Sequence, residues 1–176
     1  MSIYQKMAIY GVKIFSKAGL FKHGFNLSPM YRRSTGKIVH VANDLLSVTM
    51  KLPISYKNRN YVGSIFGGSM FSAVDPIPMV QLINLLDSEY VVWDKSAEII
   101  FKAPAREDLY AEFTYSQEEL EQLKQIVNDE NETEIVKTTK LTNKDKSKVF
   151  CEVKKTLYIA SKSHYRNKQK KRSESS

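Results

Sequence analysis

Hydrophobic residues recur with two different spacings along the chain. Over residues 1–35 the apolar positions share one helical face and the lysines lie roughly opposite: Ile3, Met7, Tyr10, Ile14, Ala18 and Phe21 against Lys6, Lys13 and Lys17. This pattern predicts an N-terminal amphipathic helix that ends near Gly19 or Gly24. A helix with such a lysine face either binds an anionic membrane surface or packs on its own domain with its lysines in water.

From Lys37 onwards the apolar positions alternate with polar ones, which predicts strands. Two strand patterns flank Asn43-Asp44, two more meet around Pro104 to Asp108, and a hairpin turns at Asn143-Lys144-Asp145. Residues 67–86 are apolar almost all round, as in a helix buried on most sides, and residues 116–129 form a short charged helix. The order predicts an α+β fold in which an antiparallel sheet wraps round one long buried helix.

The positive charge of the chain is concentrated at its two ends. The net charge is +8, yet residues 1–35 carry six Lys/Arg and no acid, and residues 162–176 carry six Lys/Arg and one Glu. The body between them has 15 basic and 18 acidic residues. We therefore divide the chain into an N-terminal helical extension (1–35), one domain (36–161) and a basic disordered tail (162–176). The tail is predicted to be solvated, with no nucleic-acid partner, because no recognised nucleic-acid module accompanies it.

Cysteine and histidine usage narrows the classes of site. A single cysteine, Cys151, excludes an internal disulfide framework and favours a reducing compartment, so we predict a cytoplasmic protein. The three histidines are scattered, and we predict no metal site and no cofactor. No run of 18 apolar residues is present, which disfavours a transmembrane helix.

An ordered set of residues surrounds the predicted buried helix. It comprises Asn60, Gly63, Gly67-Gly68, Asp75-Pro76, the stretch Tyr90 to Lys95 and the stretch Lys154 to Ile159. This order resembles the hotdog-fold acyl-CoA thioesterases of the phenylacetate-pathway branch, and more closely a hotdog family of unknown function. The resemblance covers about residues 25–160. It implies a homodimer or tetramer with ligand sites at the dimer interface, in which an acid on the partner's helix acts as base or nucleophile.

The resemblance also assigns candidate roles to single residues. The backbone N–H groups of Gly67 and Gly68, at the first turn of the helix, could stabilise an oxyanion, or the glycines could only permit close helix-to-strand packing. Asp75, two turns along, is a candidate base or nucleophile, or else the N-cap of a helix that restarts at Pro76. Asn60 either holds a water or a carboxylate, or shapes a turn.

The predicted ligand site also contains Gly63, Phe66 and Phe71. Phe66 stands where the thioesterase branch usually has histidine, which leaves acyl binding intact and puts hydrolysis in question. We therefore predict a thioesterase-like protein that acts on an acyl-CoA or related acyl thioester. The alternative is a non-catalytic hotdog protein that binds a fatty-acyl or lipid-like ligand, with peripheral membrane contact through the N-terminal helix.

Overall fold

The computed structural model describes residues 16–174, which contain six helices and six strands. The predicted amphipathic helix falls largely on residues 1–15, outside the described residues. In chain order the elements are α1 (Lys17–Leu27), α2 (Pro29–Ser34), β1 (Lys37–Val41), β2 (Ser47–Leu52), α3 (Gly67–Val74), α4 (Pro76–Leu85), β3 (Tyr90–Phe101), β4 (Leu109–Thr114), α5 (Gln117–Glu130), β5 (Glu132–Thr142), β6 (Val149–Ser161) and α6 (Lys162–Glu174).

The six strands form one antiparallel sheet in the order β1-β2-β4-β5-β6-β3, which confirms the predicted α+β class. Strand β3 lies at one edge and pairs with β6 along its length. The register shifts between Asp94 and Ser96, so Lys95 is the extra residue of a β-bulge. Asp94 lies opposite Leu157, immediately before the bulge.

Helices α1 and α2 belong to the same hydrophobic core as β1, β2 and α3. Phe21, Phe25 and Tyr31 are buried in that core, and the Tyr31 hydroxyl donates to the Ala73 carbonyl at 3.0 Å. Helix α1 does not end at Gly19 or Gly24 as predicted. It runs to Leu27, where the Ser28 amide closes on the carbonyls of the last turn and Pro29 begins the next helix.

The apolar stretch after Gly67 forms two consecutive helices that meet at Asp75. Asp75 keeps helical angles (φ −45°, ψ −52°), and Pro76 occupies the first position of α4. The Asp75 side chain makes no capping hydrogen bond, which removes the interpretation of this carboxylate as an N-cap. Along these two helices Met70, Ala73, Val74 and Ile77 are buried, whereas Ile83 is 47% exposed.

The basic end of the chain is helical, where the sequence predicts disorder. Helix α6 is anchored through Glu132, which accepts from Lys168 Nζ at 2.6 Å and from the Tyr158 hydroxyl at 2.5 Å. These bonds lower the pKa of Glu132 to about 2, and the bond from Lys168 has the largest effect. A polar segment without a core of its own is thus held by charge contacts with the sheet.

Among residues 16–174, no helix has the length and hydropathy needed to cross a membrane. The same residues contain no group of three or more His, Cys, Asp or Glu side chains placed to hold a metal ion.

Candidate active site

Helix α3 begins with two adjacent glycines, Gly67 and Gly68. The amides of Ser69 and Met70 both donate to the Phe66 carbonyl, at 2.9 and 3.2 Å, which fixes the start of the helix. Within residues 16–174, the N–H groups of Gly67 and Gly68 have no hydrogen-bond partner. Such first-turn amides lie at the positive end of the helix dipole and can stabilise a developing anion.

Aromatic rings lie directly against both glycines. A Cβ on Gly67 would stand 2.6 Å from the ring of Phe101, and one on Gly68 would stand 2.3 Å from the ring of Phe66. Gly67 therefore permits close packing of α3 on strand β3, as one of the two sequence interpretations expects. Phe66 and Phe101 are 58% and 55% exposed, so a ligand can reach the amides if these surface rings rotate.

An open groove of about 380 Å³ lies beside the start of the helix. It is lined by residues of the preceding loop, helix α3 and the end of β3: Asn60, Ser64, Ile65, Gly67, Met70, Phe101, Lys102, Ala103 and Pro104. Its walls combine apolar side chains with the polar side chains of Asn60, Ser64 and Lys102.

Asn60 shapes the loop that forms one wall of this groove. Its Oδ1 accepts from the amides of Val62 and Ser64, at 3.2 and 3.0 Å, and its Nδ2 donates to Ser64 Oγ at 3.0 Å. Gly63 in the same loop has φ +78°, a left-handed conformation that favours glycine. The polar atoms of Asn60 are engaged within the loop, which matches the turn-shaping alternative.

Asp75 lies beside a buried lysine that the sequence predictions did not single out. Lys155 Nζ lies 2.5 Å from Asp75 Oδ1 and 2.9 Å from Asp94 Oδ1. The Lys155 side chain is 2% exposed, whereas those of Asp75 and Asp94 are 39% and 31% exposed. The three residues form a carboxylate–ammonium–carboxylate cluster, here called the Lys155 cluster, which reaches solvent only through its two acids.

The position of Lys155 follows from strand alternation. Alternate residues of β6 point to the helix side and are buried, with Val153 and Leu157 on either side of Lys155. Its ammonium also lies 6.0 Å from the centre of the Phe71 ring, within the range of a cation–π contact. Burial raises the pKa of Asp94, an effect that the nearby Lys155 ammonium opposes.

The sequence now permits assignment to a family. Residues 17–159 match the model of DUF4442, a domain of unknown function. The chain belongs to the DUF4442 family. No curated protein matches this DUF4442 chain.

Solved structures share the fold of this DUF4442 domain at low sequence identity. A Pseudomonas aeruginosa protein of unknown function, described as a probable thioesterase, is 21% identical with a TM-score of 0.72, over 81% of this chain and 95% of that one. A thioesterase from Haemophilus influenzae is 12% identical with a TM-score of 0.59, over 85% and 94%. A Chlorobaculum tepidum protein of unknown function is 15% identical with a TM-score of 0.63, over 90% and 94%. These likenesses, together with the family match, confirm the fold that the sequence resemblance implies.

The DUF4442 domain brings three of the predicted residues to one helix face. Gly67, Phe71 and Asp75 are spaced by four residues and so lie on one side of the α3–α4 segment, about 12 Å from first to last at 1.5 Å per residue. Gly63 and Asn60 lie in the loop before them. Lys155 and Asp94 were missed, although the period-two pattern of β6 already places Lys155 among inward-facing positions.

Proposed function

We propose that this DUF4442 protein is a thioester hydrolase acting on an acyl-CoA or related acyl thioester. The observation that carries the proposal is that, within residues 16–174, two helix-start amides have no hydrogen-bond partner and a carboxylate lies two turns along the same helix face, where a second copy can present it to those amides. Amides aimed at a developing oxyanion commonly provide the largest single catalytic effect in acyl transfer. The hotdog-fold relatives described above as thioesterases support the same reaction class.

The proposed active form is a homodimer, or a tetramer built from such dimers, with sites at the dimer interface. Strand β3 offers twelve residues at the sheet edge, and most of its side chains are exposed in the single chain. A long unprotected edge strand is suited to pairing with another strand. Antiparallel pairing of two β3 strands would bring the helix start of one copy towards Asp75 of the second copy.

In the proposed reaction, Asp75 removes a proton from a water molecule, and the water oxygen attacks the thioester carbonyl. The N–H groups of Gly67 and Gly68 stabilise the oxyanion, and the tetrahedral intermediate collapses by breaking the C–S bond and releasing the thiolate. In the alternative route, an Asp75 oxygen attacks the carbonyl to form an anhydride, which water then hydrolyses. A single turnover in ¹⁸O-labelled water distinguishes the routes, because only the anhydride route can leave the label in Asp75.

The assay is hydrolysis of an acyl-CoA panel of different chain lengths, followed as release of free thiol. We expect Asp75→Asn to lose at least about 100-fold in turnover while remaining folded, since general-base catalysis contributes about 10²–10⁴-fold. Asp129→Asn, on the exposed face of α5, is the matched control and should retain full turnover. Wild-type turnover in a folded Asp75→Asn variant would exclude the assignment.

A second candidate function is binding of a fatty-acyl or lipid-like ligand without hydrolysis. It is favoured by the phenylalanine at position 66 and by the rings that lie against Gly67 and Gly68. This function predicts a co-purifying lipid by mass spectrometry and no thiol release across the panel. The predicted membrane contact through the N-terminal helix, and the predicted cytoplasmic location, remain expectations.

A further inference from the structure

Lys155 is the one charged side chain that is buried among residues 16–174. The neighbouring inward positions of β6 hold Val153 and Leu157, and packing alone would be satisfied by another apolar residue there. An ammonium in such a position loses its hydration and is tolerated only when it is paired. Replacing a buried charge cluster by apolar residues is often neutral or favourable for stability. Stabilisation of the fold is therefore a weak explanation for this cluster.

In the Lys155 cluster the two carboxylate oxygens of Asp75 have different surroundings. Lys155 contacts Asp75 through Oδ1, and within residues 16–174 Oδ2 has no hydrogen-bond partner. Asp94, on the edge strand, lies 2.9 Å from the same ammonium through its Oδ1, so carboxylates hold the ammonium from two sides. With Oδ1 fixed, the side chain of Asp75 cannot rotate freely, and Oδ2 keeps a defined direction.

We propose that Lys155 is a positioning residue of the thioester site, that it orients the Asp75 carboxylate, and that Asp94 in turn holds the Lys155 ammonium in place. The inference rests on the proposed function, because the direction of Oδ2 matters only if Asp75 acts on a substrate or a water. Partners that orient a reacting group typically change activity by about 10–100-fold when they are removed.

The test compares Lys155→Met with Lys154→Met, its neighbour on the same strand. Lys154 points to the opposite face of the sheet and pairs there with Glu98 at 3.5 Å, so it controls for loss of a lysine from β6. We expect Lys155→Met to lower kcat by about 10–100-fold with KM changed less than about threefold. Lys154→Met should change neither, and Lys155→Arg should recover part of kcat because it keeps a cation opposite the acids.

A crystal structure of Lys155→Met gives a readout that does not depend on activity. We expect the Asp75 side chain to leave its wild-type rotamer, whereas its backbone stays in place. If the wild-type protein hydrolyses no thioester, the proposed function fails. The rotamer of Asp75 in Lys155→Met then still decides whether Lys155 positions this carboxylate. An unmoved Asp75 side chain, or a fall in kcat that only follows the folded fraction, would overturn the inference.

A second variant covers the case in which Lys155→Met does not fold. Asp94→Asn leaves Lys155 paired with Asp75 and removes its second contact, so the fold should persist. We expect a smaller fall in kcat, about three- to tenfold, with KM unchanged and with a displaced Lys155 ammonium in the crystal structure. Unchanged kcat together with an unmoved ammonium would contradict the proposed role of Asp94 and, with it, the two-sided support of Lys155.

Discussion

The Lys155 cluster permits a prediction of stability that can be worked from its geometry. Two unit charges about 4 Å apart attract by about 4 kcal/mol at an effective dielectric constant of about 20, so two carboxylates give a gross attraction of roughly 8 kcal/mol. Repulsion between the carboxylates and the lost hydration of the ammonium, which is 2% exposed, offset most of it. Removal of Lys155 alone nevertheless leaves two acids facing each other without a cation.

We expect Lys155→Met to lower the free energy of unfolding by about 3 kcal/mol, the lower end of the usual cost of breaking a buried ion pair. The lower end applies because Asp75 and Asp94 are 39% and 31% exposed and can regain water. In a chain of this size, that loss corresponds to a Tm about 6–12 °C lower. The triple variant Lys155→Met/Asp75→Asn/Asp94→Asn should be close to wild type or above it, since no unpaired charge remains.

Urea denaturation followed by circular dichroism measures both variants, with Lys154→Met as the exposed control, expected within about 0.5 kcal/mol of wild type. The electrostatic reasoning is refuted if Lys155→Met is as stable as wild type. It is also refuted if the triple variant is no more stable than Lys155→Met, because the loss would then come from packing rather than from the unpaired acids.

Three further outcomes can be measured. Because burial raises the folded-state pKa of Asp94, its ionisation costs stability as the pH rises. In urea denaturation, the stability of Asp94→Asn relative to wild type should therefore be greater at pH 7 than at acidic pH. The pKa of Glu132 is lowered to about 2, so its support of α6 is present above the ordinary pKa of 4.5 and lost as the pH falls through about 2. Glu132→Gln should expose residues 162–172 to trypsin at neutral pH, seen by mass spectrometry. Gly36→Ala should destabilise by about 1–3 kcal/mol, since its Cβ would lie 3.0 Å from buried neighbours, whereas Gly68→Ala displaces only the exposed Phe66 ring and should cost less.

Matched substitutions on the same surface control these outcomes. Asp129→Asn should show no pH-dependent gain in stability, and Glu134→Gln should not accelerate trypsin cleavage of the final helix. Equal stability of Asp94→Asn and wild type at all pH values would contradict the desolvation of Asp94. Equal cleavage rates in Glu132→Gln and wild type would show that other contacts hold α6, and a greater loss in Gly68→Ala than in Gly36→Ala would contradict the packing account.

Local patterns were sufficient for most of the secondary structure. Alternating apolar residues located the strands around Asn43-Asp44 and the hairpin at Asn143 to Asp145, because strand periodicity is written into neighbouring residues. Composition was a weaker guide to the basic end of the chain. Its lysines and arginines are good helix formers, and the charge partner that anchors the helix, Glu132, lies on another element.

Part of the candidate site was predictable from the sequence, and part became apparent only from the tertiary structure. The sequence by itself placed Gly67, Gly68 and Asp75 on one helix, since helical spacing is a local property. Only the tertiary structure placed Lys155, 80 residues from Asp75, against that carboxylate, with Asp94 of the edge strand 2.9 Å from the same ammonium. Such contacts depend on strand register and on the distance at which the sheet packs on the helix. No run of neighbouring residues encodes these quantities, so the partner of Asp75 became visible only in the folded chain.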